Sequence, residues 1–207
     1  MSDTHPLAQR FRGFYPVVID LETGGLEAGK NAVLEIACIT LTFDADNRLI
    51  PYHKVSYHLR PEPNCEVSAA SLQVTKIDLN DPGRFAISEK DALQRVFKII
   101  RQDLKQHHCQ RAVLVGHNAA FDLGFLNAAV ARQHISRSPF HPFSTFDTVT
   151  LSALVFGQTV LEKAVLAAGL EFNTNAAHTA IYDASKTAEL FCHIVNRWQQ
   201  LCATHHE

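Results

Sequence analysis

The first part of the chain carries short apolar segments with the spacing of β-strands. Phe14 to Asp20 is an apolar run that ends abruptly in charge, which is typical of a buried central strand. Ala32 to Phe43 is rich in β-branched residues and predicts a second strand, and the alternation from Tyr52 to Leu59 predicts a third. Because short connections join these segments, we expect them to be antiparallel neighbours.

The rest of the chain alternates predicted helices with strands. Residues 61–85 are a predicted loop with a short helix at 68–76. The later elements are a helix starting at Ser88, a strand from Ala112 to Gly116, a helix after Asn118, a strand end at Phe146 followed by a helix, and helices at Leu161 to Leu170 and Ala180 to Leu201. This order predicts an α/β fold, in which one domain over residues 1–207 holds a mixed five-stranded sheet flanked by helices.

The composition is that of an ordinary globular protein. Of 207 residues, 46% are hydrophobic, which supports a normal core. The 19 basic and 21 acidic residues give a net charge of −2, which argues against coating of nucleic acid by bulk charge but not against a local basic patch. There is no window of ~20 apolar residues, no signal-peptide layout and no C-x-x-C pair, so we expect a cytoplasmic protein with reduced thiols.

The first candidate chemistry is the acid pair at the end of the first predicted strand. On a strand, residues two apart point to the same face, so the carboxylates of Asp20 and Glu22 converge. They repel each other unless a cation lies between them, and Mg²⁺ or Mn²⁺ suits such an all-oxygen site. A lone D-x-E is usually a pair of solvated charges, so this pair predicts a metal site only together with other ligands.

A third acid follows the predicted fourth strand. The segment Gly116-His-Asn-Ala-Ala-Phe-Asp122 runs from a buried strand into a helix, with Asn118 as the predicted N-cap. Asp122 then lies near the first helical turn, at the same kind of sheet edge as Asp20. In open α/β sheets, functional groups collect at the carboxyl ends of the strands. Alone, Asp122 would be an acid that the helix dipole favours.

The last candidate segment is Ala177-His-Thr-Ala-Ile-Tyr-Asp183. On one helix, five residues turn about 500°, which would separate His178 from Asp183 by roughly 140°. If both act at one site, His178 must precede the helix, with Thr179 as the N-cap. A histidine on a loop can approach a metal-bound water and act as a general base.

Taken in order, the segments D-x-E-T, H-N-x-x-F-D and H-x-x-x-x-D resemble the three motifs of the DEDDh exonuclease family. The resemblance implies a ribonuclease H-like fold and hydrolysis of phosphodiester bonds from the 3′ end, with release of nucleoside 5′-monophosphates. It also implies two Mg²⁺ ions about 4 Å apart, for which Mn²⁺ can substitute. The implied metal-binding acids are Asp20, Glu22, Asp122 and Asp183, and the implied general base is His178.

Three further segments resemble a branch of that family whose members are homodimers that trim the single-stranded 3′ ends of transfer and ribosomal RNA precursors. They are Arg12 to Thr23, Pro139 to Thr148 and Phe191 to Trp198. In this branch phenylalanines stack on the terminal bases, and stacking contributes about 1–3 kcal/mol per base. The matching positions are Phe121 and Phe143, with Leu26 and Val74 where phenylalanine is usual and Ala70 where a base-contacting glutamate is usual.

The same branch implies that further residues bind substrate. These are Asn118 and a basic patch formed by Arg10, Arg12, Arg111 and Arg137. A guanidinium matches phosphate geometry, and in this branch the patch reaches the active site of the partner subunit. The alternatives are that Phe121 and Phe143 are core aromatics and that Arg10 and Arg12 belong to a solvated N-terminal segment.

Two other functions remain open. A DNA exonuclease, such as a polymerase proofreading subunit, would share the same metal site. A binding module could hold RNA 3′ ends without cutting, although such a protein has no need of the complete acid set. Outside the motifs, Asp147 is predicted to be a helix cap, and the pairs His107–His108 and His205–His206 lack metal-ligand spacing and are expected to be exposed.

Overall fold

A mixed five-stranded sheet forms the centre of the molecule in the computed structural model, which describes residues 5–204. The strands are β1 (Phe14–Thr23), β2 (Val33–Phe43), β3 (Leu49–His58), β4 (Arg111–Gly116) and β5 (Phe140–Asp147). Their order across the sheet is β3-β2-β1-β4-β5, with β2 antiparallel to both β1 and β3. Strand β4 is parallel to β1, and β5 is parallel to β4. The predicted mixed sheet and its antiparallel first three strands are confirmed.

Helices connect and cover the strands. They are α1 (Pro6–Arg10), α2 (Ala69–Thr75), α3 (Glu89–Gln106), α4 (Ala119–Arg132), α5 (Thr148–Phe156), α6 (Leu161–Ala167) and α7 (Ala180–Thr204), with a short 3-10 helix at Pro82–Arg84. The hydroxyl of Ser88 accepts a hydrogen bond from the N–H of Asp91, so α3 starts where the sequence predicts. Helix α6 ends three residues before the predicted boundary at Leu170.

The main core lies between the sheet and the helices that pack on it. Val17, Val18 and Ile19 of β1 are fully buried, as a central strand with covered faces requires. Helix α7 packs against β1, β2 and β3, so its first turn lies close to the carboxyl end of β1. A smaller apolar cluster joins α6 to α7 through Val165 and Leu190.

The prediction that both residues of the pair His107–His108 are exposed is wrong for His107. Its side chain is only 1% exposed, and its ring stacks on Tyr15 with the centroids 5.1 Å apart. Nδ1 lies 2.8 Å from the carbonyl oxygen of Asp103, and Nε2 lies 3.1 Å from the hydroxyl of Thr42. These partners satisfy both ring nitrogens, which makes burial possible. His108 is exposed, and His205–His206 lie outside the described residues.

Within residues 5–204, no single helix is long and apolar enough to cross a membrane. The helices α5 and α6, which are bent by 43° relative to each other, meet the length and composition criteria only as a pair.

Candidate metal centre

Three carboxylates meet beside the carboxyl end of β1. Asp20 and Glu22 point to the same face of the strand, and Asp183 lies in the first turn of α7. One oxygen from each of these side chains lies within 4.8 Å of the others. A central strand and the start of the last helix therefore form the cluster together, and its three members are acids that the resemblance to the DEDDh family implies.

Repulsion and burial shape the protonation of this cluster. Burial, followed by the charges of Asp183 and Glu35, raises the pKa of Glu22 to about 7. Burial and the charges of Asp122 and Asp183 hold the pKa of Asp20 well above its usual range. Because a cation among these oxygens would offset both effects, the cluster has the chemistry of a site for a hard divalent ion such as Mg²⁺ or Mn²⁺.

Asp122 lies next to this cluster but is not one of its three members. It is 5% exposed, in the first turn of α4, and its Oδ1 accepts a hydrogen bond of 3.0 Å from the N–H of Leu21. Burial raises the pKa of Asp122 to about 8, although the bond from Leu21 acts in the opposite direction. Since Leu21 separates Asp20 from Glu22, the structure brings the fourth predicted acid directly behind the other three.

The predicted capping of α4 by the side chain of Asn118 is wrong. Asn118 has a left-handed backbone, with φ of 73°, and its side chain accepts no capping hydrogen bond. Instead the carboxylate of Asp147 accepts bonds from the N–H groups of Asn118 and Ala119, at 3.2 and 3.0 Å. Asp147 also accepts a bond of 2.8 Å from the N–H of Val149, so it caps both α4 and α5, and its predicted capping role is confirmed. The side chain of Asn118 is exposed.

His178 lies on the loop before α7, as joint action with Asp183 requires. It is exposed and left-handed, with φ of 65°, and its N–H donates a bond of 3.1 Å to Oδ2 of Asp183. Thr179 directly precedes α7, as predicted for its N-cap, and its carbonyl accepts from the N–H groups of Tyr182 and Asp183, whereas its hydroxyl donates to the carbonyl of Ala176. The N–H of Ala180, which opens α7, donates to Glu35 at 3.3 Å.

A groove of about 630 Å³ runs from the carboxylates across the predicted base-binding positions. It is lined by Glu22, Leu26, Ala70, Val74 and Phe121, among others. The side chains of Leu26 and Val74 are 85% and 60% exposed, so both are open to a ligand. Phe121 is half-buried, with its ring 4.9 Å from that of Phe125, which fits contact with both the core and a ligand. Phe143 is exposed and does not line this groove.

Two arginines of the predicted basic patch share one cleft. Arg111 and Arg137 line a cleft of about 920 Å³ together with Arg101, whose guanidinium donates to the carbonyl of Arg137. Arg12 lies with its guanidinium 6.0 Å from the ring of Phe14, a residue that also lines this cleft.

Arg10 lies elsewhere, in an apolar groove with its guanidinium 5.3 Å from the ring of Phe11. Arg10 is therefore not among the residues that line the cleft of Arg111 and Arg137, and its part in a basic patch stays a prediction. Arg101, which was not predicted from the sequence, also lines the cleft of Arg111 and Arg137.

Two further polar residues near the cluster, Glu35 and His117, were not predicted from the sequence. Glu35 is 8% exposed and is the only charged residue of β2, and this lone acid in an apolar strand was a signal that could have revealed it. His117 connects three elements, because Nδ1 lies 2.9 Å from the hydroxyl of Thr148 and Nε2 lies 2.9 Å from the carbonyl of Thr159.

Comparison with known proteins identifies the family of this chain and solved structures with a similar fold. The exonuclease family model matches residues 17–191. Among solved structures, E. coli Exonuclease I in complex with a dT13 oligonucleotide has a TM-score of 0.68 at 16% identity, over 91% of this chain and 42% of that one. A full-length 3′-exonuclease has a TM-score of 0.67 at 16% identity, over 89% of this chain and 82% of that one.

The nuclease domain of 3′hExo, a DEDDh family member bound to rAMP, gives a TM-score of 0.60 at 17% identity, over 90% of this chain and 92% of that one. The present chain spans less than half the length of Exonuclease I. At these identities the likeness shows a shared fold, and the ribonuclease H-like α/β fold predicted from the sequence is confirmed.

Proposed function

Because the chain belongs to the exonuclease family, we propose that it is a magnesium-dependent 3′-to-5′ exonuclease of single-stranded RNA. The observation that carries this proposal is the cluster of Asp20, Glu22 and Asp183, with Asp122 bound behind it. An exonuclease domain implies a divalent metal, and these all-carboxylate ligands with raised pKa values fit one. A protein that only binds RNA ends has no use for such a costly concentration of partly buried carboxylates.

In the proposed hydrolysis, the acids bind the metal ions and His178 accepts a proton. Asp20, Glu22 and Asp183 would hold the first metal ion, and Asp122 would support a second. Bound Mg²⁺ supplies charge that activates a water and stabilises the leaving oxygen. His178 accepts the proton of the attacking water, because it is exposed on a loop whose backbone is bonded to Asp183.

For the substrate, we propose a role like that of ribonuclease T, which trims the 3′ ends of transfer RNA and other stable RNA precursors. The support is the resemblance of Arg12 to Thr23, Pro139 to Thr148 and Phe191 to Trp198 to its segments. The groove beside Glu22 presents Leu26 and Val74 to the terminal bases. Aliphatic contact with a base face is weaker than aromatic stacking, so the proposal includes a weak grip on the last nucleotide.

The arginine cleft supports a proposal of a homodimer. Arg111 begins β4, whereas the segment that leads to Asp122 follows its other end at Gly116. A strand of this length spans roughly 20 Å, so Arg111 is too far to contact the nucleotide that its own subunit cleaves. In a homodimer it could instead bind the phosphates of RNA that enters the partner's site. We further propose a single domain, since one main core joins the sheet to its helices, and a cytoplasmic location, where the free cysteines would stay reduced.

The test is degradation of a 5′-labelled single-stranded RNA with Mg²⁺, beside DNA of the same sequence. We expect shortening of the RNA by single nucleotides from the 3′ end, abolished by chelator and by Asp20→Asn. Preferred shortening of the DNA would favour a proofreading-type exonuclease. Tight binding of RNA without any shortening would instead indicate a binding module.

A further inference from the structure

Three polar side chains lie in one row across the antiparallel part of the sheet. Glu22 of β1 pairs with Glu35 of β2, and Glu35 pairs with His58 of β3. Residues that pair directly on antiparallel strands point to the same face, with Cβ atoms about 5 Å apart. Glu35 therefore lies beside a predicted metal ligand, on the face over which α7 begins.

Both carboxylate oxygens of Glu35 are engaged. Oε1 lies 2.9 Å from Nδ1 of His58, and Oε2 accepts a bond of 3.3 Å from the N–H of Ala180. The first N–H groups of a helix have no partner within the helix, and a negative charge there is also favoured by the helix dipole. Glu35 thus caps α7 across the sheet.

The start of α7 determines where two of the predicted functional residues lie. Ala180 falls between His178 on the preceding loop and Asp183 in the first turn. We propose that Glu35 is a positioning residue: it fixes the start of α7 to β2, so that Asp183 meets Asp20 and Glu22 at the separation that one cation requires. His58 orients the Glu35 carboxylate. This inference rests on the proposed metal-dependent function.

The geometry indicates that Glu35 contributes to the site by positioning α7 and not by adding its charge to the cluster. Glu35 is a further carboxylate beside the four predicted acids and adds repulsion, and its charge is one cause of the raised pKa of Glu22. Glu35 is not one of the three acids whose oxygens lie within 4.8 Å of one another. A buried carboxylate is costly unless it is hydrogen-bonded, and both oxygens of Glu35 are bonded to groups that are not members of the cluster, His58 and the N–H of Ala180.

The test compares Glu35→Gln with Glu35→Ala. Glutamine keeps an oxygen that can accept the bond from Ala180, whereas alanine removes it. Mn²⁺ binding is measured by calorimetry without nucleic acid, and kcat and KM are measured on single-stranded RNA. We expect Glu35→Ala to weaken Mn²⁺ binding and lower kcat by ~10–100-fold, with KM changed little, and Glu35→Gln to stay within ~3-fold of wild type.

Glu89 provides a matched control for general loss of stability. It is also a buried glutamate, 1% exposed, but it pairs with Arg132 at 2.7 Å at the start of α3. Glu89→Ala should lower the melting temperature yet leave Mn²⁺ affinity at the wild-type level. Equal losses of affinity in Glu35→Ala and Glu89→Ala would overturn the positioning role.

The remaining outcomes separate this inference from the proposed function. A wild-type protein that neither binds Mn²⁺ nor cuts RNA contradicts the proposed function itself. Wild-type Mn²⁺ affinity in Glu35→Ala, or equal loss in Glu35→Gln and Glu35→Ala, contradicts only the positioning role. If Glu35→Ala does not fold, a substitution of the exposed His58 provides the test. His58→Ala should weaken Mn²⁺ binding ~3-fold, and unchanged Mn²⁺ binding would overturn the proposal.

Discussion

The backbone N–H of Leu21 donates a hydrogen bond of 3.0 Å to Oδ1 of Asp122. Through it, a buried acid of α4 is tied to the residue between Asp20 and Glu22 on the central strand. The position of Asp122 therefore depends on the main chain of β1 and not on the flexible end of another side chain. Its structural and chemical contributions can be separated, because asparagine keeps the acceptor oxygen and loses the charge.

We expect Asp122→Asn to fold normally and to lose activity by ~100-fold or more, since the acceptor for Leu21 stays while the metal-supporting charge is gone. Asp122→Ala should lose the same activity and also ~1–3 kcal/mol of unfolding free energy, because a buried N–H is left without a partner. Urea denaturation and single-turnover hydrolysis measure the two effects. Near-normal hydrolysis by Asp122→Asn would remove Asp122 from the mechanism.

His178→Ala should slow hydrolysis by ~100-fold or more while Mn²⁺ binding stays close to wild type. The reason is that the exposed imidazole accepts the proton of the attacking water in the proposed mechanism. The hydrogen bond to Asp183 comes from the backbone N–H, so it is kept in the variant. The measurements are single-turnover rates at neutral pH and calorimetric Mn²⁺ titration. His134→Ala, at another left-handed histidine, is the matched control and should retain full rate.

The stability of the metal-free protein should fall as pH rises through the neutral range. The pKa values of Glu22 and Asp122, about 7 and about 8, lie above those of an unfolded chain, so the folded state holds more protons between roughly pH 4 and 8. The stabilisation from Glu22 and Asp122 is fully present below the pKa values that they have in the unfolded chain. It is lost as the pH rises through the higher pKa values that they have in the folded protein.

We expect a fall of ~5 °C or more in melting temperature between pH 5 and pH 9 without metal, and a much smaller fall with saturating Mn²⁺. Asp20→Asn removes one repelling charge, so its metal-free melting temperature at pH 8 should exceed that of wild type, while hydrolysis is abolished and RNA binding persists. A wild-type melting temperature independent of pH would contradict the raised pKa values.

Leu26→Phe should strengthen binding of an RNA 3′ end. The side chain is 85% exposed in the groove beside Glu22, so a ring can be accommodated without repacking the core. Stacking on a base contributes about 1–3 kcal/mol, and a gain of ~5-fold or more in affinity is expected, measured in the Asp20→Asn background to prevent cleavage. Leu166→Phe, exposed on α6, is the control and should bind RNA like its parent.

The strands and the pair Asp20 and Glu22 could be predicted because their signals are local. An apolar run that ends in charge and a spacing of two residues are both visible within ten positions of the sequence. The caps could not be predicted in the same way. Asp147 caps α4 from 28 positions away, and Glu35 caps α7 from 145 positions away, so their partners are defined only by the folded sheet.

The burial of His107 has a similar origin. A histidine pair after a polar helix end is typical of the surface, and nothing nearby in the sequence indicates a covered site. The ring is buried because Thr42 of β2 and Tyr15 of β1 meet it there. Those strands precede it by many positions, so its environment depends on the tertiary structure.

The bond between Glu35 and Ala180 also has a consequence for the order of events in folding. It closes a segment of 145 positions, and contacts so far apart in sequence form late, because they require most of the chain to be arranged first. We expect the site to be completed only when the last helix docks on the second strand. By the same reasoning, any opening that separates α7 from β2 would also separate Asp183 from Asp20 and Glu22. A chain in which the last helix has not docked would then lack the assembled carboxylate cluster.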